Sequence, residues 1–379
     1  MADFASYGDE LSKRYDQAVS AANQQRRRDR EPGETYGTEV QNNLNSEVNS
    51  PEAPTGMSSS ATDEQFDPGV DVNAEETKNY LIKKSKERMS AVVGPEDWVN
   101  ILLSRLIAVL IDCFPYFNER EILELRINTL RDHVDGFLIT DANYTHRGEP
   151  KEFTCVETLK ELGIPDDKVQ VLHVELPSYE EAPDPWVRER GQRDALSVGL
   201  FMMPDDTYFI CSDCDEITNP EKIDEIKKAV DEHKDKVVRM SMSMHYGRAD
   251  RQLVSPKGEL FDWRCGTAST VGQLRDFGTL SSLRASTNNF YVGDRDAGWH
   301  LSWMGDADKR KTKLRSIAEY YIWDRPEVQK LCDEFEPEEG NTDMLGRVDH
   351  LITSYPIDKL PQGTLKIERV RNYLLPDGW

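Results

Sequence analysis

No disulfide framework can be read from this chain. Its six cysteines (113, 155, 211, 214, 265 and 332) are scattered over 379 residues, whereas small secreted scaffolds space theirs densely. Only Cys211-x-x-Cys214 has the spacing of a zinc or redox pair, and no second Cys or His pair accompanies it. Cys211 is therefore expected in a core, Cys214 as filler between two acids, and the compartment as a reducing one. Long apolar runs are missing too. The most apolar stretch, Ile101 to Ile111, is about half a membrane span and contains Arg105. Met1 to Ser20 holds Asp3, Asp9, Glu10, Lys13 and Arg14 and no apolar h-region. The expectation is a protein without a membrane span, working in the cytoplasm. Basic charge is scarce: 47 Lys and Arg stand against 70 Asp and Glu, for a net charge of −23. That balance argues against general nucleic-acid binding, and Arg26-Arg27-Arg28 is too local to reverse it.

Hydrophobic residues make up 37% of the chain, and the polar bias lies mostly in its first quarter. Residues 1–76 read as a largely disordered extension, rich in Ser, Asn, Gln, Pro and acids. A thin stripe of Leu11, Tyr15 and Val19 allows a helix over Asp9 to Arg30. The extension is a tether, with an interaction tail for a protein partner as the alternative. Residues 77–105 read as a helical neck, with one helix over Glu75 to Met89 and a second starting at Pro95. A catalytic core is expected over 106–325, and a C-terminal helix and tail packed on it over 326–379.

The core pattern alternates. Leu106 to Ile111, Gly136 to Thr140, Val169 to Val174 and Thr207 to Cys211 read as buried strands. Helices are expected after an Asn118 cap, with Ile122, Leu125 and Leu130 inward, and over Glu189 to Met203. This is the alternation of an open α/β sheet, in which ligands bind beyond the carboxyl ends of the strands. Asp112, Asp141 and Asp213 each follow such an expected end. A helix is expected over Pro220 to Glu232. Val237 to Met244 alternates with period two, as in a half-buried strand. Further strands are expected over Phe261 to Leu274 and Asn289 to Val292. Lys309 to Arg315 reads either as a mobile flap over a diphosphate or as a solvated helix face.

The densest chemistry lies at Ser212-Asp213-Cys214-Asp215-Glu216, three carboxylates in four positions. Such a group is costly to assemble unless a cation neutralises it, and oxygen donors suit Mg²⁺ or Mn²⁺ bridging to a diphosphate. The alternative is an acidic turn capping the next helix.

Five segments in order resemble glycosyltransferase family 17. They are Asp112 to Glu119 with Leu123-x-x-Arg126; Asn143-Tyr144-Thr145-His146-x-Gly148-x-Pro150-Lys151; Arg188-Glu189-Arg190-x-Gln192-Arg193; Ser212-Asp213-x-Asp215-Glu216-Ile217; and Gly298-Trp299-His300-Leu301-Ser302-Trp303. The resemblance implies a GT-A type nucleotide-sugar-binding fold with an open mixed sheet, behind the disordered or helical extension. It implies a divalent ion, Mn²⁺ or Mg²⁺, and inverting transfer from a UDP-sugar, N-acetylglucosamine in the family. Asp213, Asp215 and His300 would serve the metal. Asp112, Phe114, Tyr116, Asn118, Arg188, Arg193, Asp213 and Lys313 would line the donor site. For Arg188, Arg190 and Arg193, pairing with Glu180, Glu181 and Asp184 is the competing reading. An inverting transfer needs a carboxylate base, and Glu216, Asp262, Asp294 and Asp296 are unranked candidates. The chain departs from the family pattern after Lys313-Leu314-x-Ser316, where Glu319 and Tyr321 replace an expected His and acid. A microbial or viral source is expected, with a glycan, a lipid-linked sugar or a protein as acceptor rather than an N-glycan. The rival readings are a haloacid-dehalogenase-type Mg²⁺ phosphatase and a non-catalytic glycan-binding viral accessory protein.

Overall fold

The structure, a computed structural model, describes residues 92–93 and 109–375. The helices expected over 9–30, over 75–89 and from Pro95 lie outside these residues. Within the segment read as a neck, Val92–Val93 form a short strand, β1.

The apolar run that opens the core becomes β2 (Leu110–Tyr116), followed by α1 (Arg120–Leu130), β3 (Gly136–Ala142), α2 (Cys155–Glu161) and β4 (Val169–Val174). Next come α3 (Pro185–Leu200) and β5 (Tyr208–Cys211). β2 continues well past Ile111, so Asp112 lies inside a strand rather than after its end, and Asp141 lies inside β3. Both carboxylates are fully enclosed. Asn118 does not cap α1: Glu119 is the cap residue, and Asn118 is exposed in the left-handed region at φ +55°. Helix α3 starts four residues earlier than expected, because Asp184 accepts the Trp186 backbone N–H at 3.0 Å and Pro185 stands at its first turn.

Strands β4, β3, β2 and β5 are parallel neighbours in that order, with β1 antiparallel on β4. The chain thus builds outward from β2 through β3 and β4, then returns to the other side of β2 with β5. The reversal is a topological switch point between β2 and β5, where such sheets open a crevice.

From β5 the acidic turn leads directly into β6 (Glu216–Thr218), which belongs to a second sheet. Helix α4 (Ile223–Glu232) buries Ile223, Ile226, Ala229 and Val230. The expected strand over 237–244 is two strands in two sheets, β7 (Val237–Met240) and β8 (Met242–Tyr246). Ser241 separates them, its N–H bonded to Val292 O and its carbonyl to Ala297 N–H. Exposure does not alternate there, because both faces are covered and Arg239, Ser241 and Ser243 are all buried. After β9 (Arg248–Val254), the stretch expected as one strand over 261–274 splits into β10 (Asp262–Trp263), β11 (Thr267–Thr270) and α5 (Val271–Phe277). A reciprocal capping box between Thr270 and Gln273 starts that helix.

The remaining elements are α6 (Leu280–Arg284), β12 (Asn289–Val292), β13 (Gly298–Ser302), α7 (Ala307–Ser316), α8 (Tyr320–Trp323), α9 (Pro326–Glu334), β14 (Leu351–Ser354), α10 (Gly363–Lys366) and α11 (Glu368–Leu374). The first sheet ends β5-β11-β7-β12; the second runs β14-β9-β8-β13-β6, with β10 also on β8. The architecture is mixed α/β with open sheets. Among the described residues, no helix is long and apolar enough to cross a membrane.

Register between β13 and β6 sets the site, because it places His300 opposite Glu216 and Gly298 opposite Thr218. A Cβ on Gly298 would stand 2.4 Å from the Ile217 carbonyl oxygen, a backbone atom in a fully buried strand. Gly298→Ala should therefore cost about 1–3 kcal/mol, read as a lowered denaturation midpoint. An unchanged midpoint would show that this strand pair has slack.

Candidate active site

The acidic turn is held from beneath by Arg126 on α1. Arg126 is fully buried and binds Asp112 through two hydrogen bonds of 2.7 Å. Its Nη1 also donates to the carbonyls of Asp213 (2.7 Å), Cys214 (3.2 Å) and Glu216 (2.9 Å), and Nη2 to Ser212 Oγ (2.8 Å). The turn is closed by the Asp213 N–H donating to Glu216 Oε2 at 3.1 Å and by Leu301 N–H donating to Asp215 O at 2.8 Å. Asp112 is thus the counter-ion of the anchor and not a donor-site ligand. Phe114 is also core, with the Arg126 guanidinium 4.2 Å from its ring centroid. Tyr116 is buried and its hydroxyl donates to Thr158 Oγ1 at 3.2 Å. Asn118 accepts from the Thr154 hydroxyl at 2.6 Å.

Above the anchor, cations and acids interleave. Asp213 accepts from Arg193 at 3.1 Å and from Arg284 at 3.2 Å. Burial raises its carboxyl, but Arg284 and Arg193 outweigh it and hold Asp213 below the usual carboxylate range. Arg193 is shared with Glu189 at 2.5 Å, one turn earlier on α3. Lys313 on α7 reaches Asp215 Oδ2 at 2.7 Å, so the basic segment over 309–315 is a helix whose Lys313 faces the site. Arg188 forms no ion pair with Glu180, Glu181 or Asp184 among the described residues. It is fully buried and donates to the carbonyls of His146, Arg147, Ser178 and Ala182, clamping two loops together. Only Arg190 pairs with Asp184, at 3.6 Å.

Among the base candidates, Glu216 lies within the cluster. It is fully enclosed and accepts from Trp263 Nε1 at 2.5 Å, with Arg284 at 3.9 Å. Burial and the adjacent Asp213 push its carboxyl up to about 7. Asp262 accepts from Ser241 Oγ and pairs with Arg264, both at 2.6 Å. Asp294 is exposed and pairs with Arg295, and Asp296 with Lys222. Glu119, which the sequence places in a family-like segment without a role, also belongs here. It accepts the Phe117 N–H at 2.8 Å, and burial with the charge of Asp215 raises it to about 7.

His300 Nε2 faces Asp215 Oδ1 at 3.7 Å, and its ring lies against Trp263 with centroids 4.2 Å apart. Burial pushes the imidazole down to about 4, so it is neutral at pH 7 and keeps a lone pair. A separation of 3.7 Å is too long for a hydrogen bond. It suits two donors bound at about 2.1 Å to one divalent ion. Among the described residues, no group of three or more His, Cys, Asp or Glu side chains is arranged to hold a metal. Where a protein holds Mg²⁺ with few groups of its own, however, one or two carboxylates are completed by substrate phosphates and water. Asp215 is such a carboxylate, and the imidazole of His300 beside it suits a transition-metal ion better than Mg²⁺. Asp213, committed to two guanidiniums, stands beside it.

The sequence model of glycosyltransferase family 17 matches residues 83–304, more than half of the chain. The chain belongs to glycosyltransferase family 17. The match spans the anchor, the acidic turn and His300. A family member is a sugar-transferring enzyme, and the interleaved charges suit the handling of an anionic leaving group. No curated protein sequence matches. Among solved structures, S. aureus TarS 1–349 is 11% identical, over 60% of this chain and 67% of that one, with a TM-score of 0.31. The longer S. aureus TarS structure is 10% identical over 59% of this chain and 42% of that one (TM-score 0.32). TarS 1–349 in complex with UDP-GlcNAc is 11% identical over 60% and 68% (TM-score 0.29). At these values the likeness assigns no residue role in the family 17 site.

Arg126→Ala leaves Asp112 buried and unpaired and should cost about 3–5 kcal/mol, whereas Arg126→Met with Asp112→Leu should recover only the part due to the unpaired carboxylate, because the turn carbonyls still lack their donor. Chemical denaturation of the three proteins checks this, and a single variant as stable as wild type refutes the anchor. Glu216 gives a pH prediction. Its folded-state value near 7 exceeds the ordinary 4.5, so the folded form binds the extra proton and loses stability as pH rises between these values. Gln cannot ionise, so the melting temperature of Glu216→Gln relative to wild type should climb from pH 4.5 to pH 8. A flat difference would place Glu216 in a solvated setting.

Proposed function

We propose that this family 17 enzyme transfers N-acetylglucosamine from UDP-GlcNAc to a hydroxyl group, with inversion and with a divalent cation, Mn²⁺ or Mg²⁺. The observation that carries the reading is the switch-point turn, where Asp215 stands between Lys313 and a neutral His300. Asp215 and His300 would hold the ion, and a bound ion would neutralise diphosphate charge as the sugar bond breaks. Lys313 can exchange Asp215 for a diphosphate oxygen, because its stem lies on a helix at the rim and is 30% exposed. Arg193 and Arg284 keep Asp213 ionised and fixed, as an acceptor for a ribose hydroxyl or a metal-bound water. The Arg126 anchor makes this arrangement rigid before substrate arrives, so little reorganisation accompanies charge development.

In the transfer, the acceptor oxygen bonds to the anomeric carbon from the face opposite the diphosphate. The bond from that carbon to the diphosphate oxygen breaks, UDP leaves with the electron pair, and the hydroxyl proton passes to a carboxylate. The phosphatase alternative requires Asp213 as a free nucleophile, and here its two oxygens are each held by an arginine.

Calorimetric titration tests the reading. UDP-GlcNAc should bind in Mn²⁺ and weaken by about tenfold or more in EDTA or in Asp215→Asn, which keeps the fold. Equal affinity with and without metal overturns the metal assignment, and tighter binding of a GDP- or dTDP-sugar overturns the donor.

A further inference from the structure

The transferase reading, on which this inference rests, requires an acceptor to approach from a side that the buried cluster leaves open. Glu216 is sealed beneath Trp263, and Asp262, Asp294 and Asp296 are each tied to a cation. Glu319 differs from them: it forms no ion pair among the described residues and sits as the cap residue of α8. Two contacts bracket its position. On one side, Lys313, six residues earlier, touches Asp215. On the other, Arg193 touches Asp213, and Arg188 on the same helix α3 holds the carbonyls of His146 and Arg147. The Arg147 guanidinium lies 4.8 Å from the ring centroid of Tyr320 and pairs with Asp324 at 2.7 Å. Helix α8 is therefore pinned to the loop that α3 holds, and α3 itself reaches the acidic cluster through Arg193. Burial raises the Glu319 carboxyl, and its charged neighbours are Glu189, Asp213 and Lys313, which agrees with this placement.

Large apolar side chains are exposed here. Tyr321 is 59% exposed, Ile322 40% and Tyr179 48%. Tyr320 meets Tyr321 edge to face at 6.0 Å, and its own ring is fixed by Arg147. Tyr179 packs closely on Gly148, beside Arg147, where any Cβ would come within 2.9 Å of its own. Flat apolar faces interleaved with Arg147, Asp324 and Glu319 match a sugar ring, which presents C–H faces and equatorial hydroxyls together. The patch is a few side chains wide, far below the roughly 800 Å² per side of a stable protein interface. Its acidic members do not suit a polyanion.

We propose that α8 with Glu319 and Tyr179 forms the acceptor site, that its occupant is a carbohydrate ring, and that the Glu319 carboxylate takes the proton from the attacking hydroxyl. The C–O bond then forms as the diphosphate leaves, and the proton ends on Glu319.

The test uses the full chain with a panel of methyl glycosides, read by saturation-transfer NMR. At least one glycoside should bind, and its affinity should fall by about fivefold or more in Tyr321→Ala or Tyr179→Ala. UDP-GlcNAc affinity should stay within about twofold in both variants. No binding by any glycoside, or binding unchanged in both variants, overturns the acceptor site, whatever the nucleotide does. Loss of UDP-GlcNAc binding by wild type instead overturns the donor reading. Glu319→Gln should keep both ligands and lose transfer to the bound glycoside by about a hundredfold or more. Transfer within about tenfold of wild type refutes the base role. So does a wild-type protein that binds both ligands without transfer, or the same loss in Glu119→Gln while Glu319→Gln stays active.

Discussion

Arg126 carries one positive charge into the buried interior and commits its donors there. Two bonds neutralise Asp112 inside β2; the others take the carbonyls and hydroxyl of the turn at 212–216. Nothing softer would do. The turn brings Asp213, Asp215 and Glu216 together, and their mutual repulsion would open a loop held only by backbone bonds. A guanidinium has the planar fork to meet a carboxylate and several carbonyls at once. Its partner lies in the neighbouring parallel strand, so the acids are fixed to a central strand of the sheet.

The turn is also the hinge of the architecture. It follows β5 in the first sheet and runs straight into β6 in the second. Four residues therefore join two sheets and carry the chemistry. Strand β13 closes the arrangement, because its pairing with β6 lays His300 across from Glu216. Helices α3, α6 and α7 then deliver Arg193, Arg284 and Lys313 from three directions. Each buried acid in the cluster meets a cation or is pushed toward its neutral form, as burial of charge demands. Asp213 takes the first course and Glu216 the second.

The pKa pattern follows from this geometry. His300 is lowered and Glu119 and Glu216 are raised by the same loss of water, while Asp213 moves the other way because two arginines reach it. Groups with different protonation at one pH thus stand within one small site. Such a division suits an enzyme that must bind an anion and accept a proton in the same cleft.

Local residue order was enough to reveal the buried strands, the acid turn after β5 and the α/β alternation, since apolar runs and punctuating acids are properties of neighbouring residues. It also brought Asp215, His300 and Lys313 into one reading, through motifs recognisable as strings. It misplaced Asp112 and Asp141, because a carboxylate inside a strand looks like a strand end until its partner is known. The partners were Arg126 and Lys151. Arg188 was misread for the same reason: a run of arginines says nothing about which carbonyls surround each. Arg284 and Trp263 could not be found at all, because they meet the cluster across 71 and 47 residues of chain. Chain order alone showed which groups could bear charge and placed the strands β2 to β5, but not the division of 237–244 and 261–274. Which charges were paired and which were sealed from solvent was settled in the fold, as Arg126 with Asp112 and Glu216 under Trp263 show. Pairing and burial depend on distance in space, and chain order does not encode that directly.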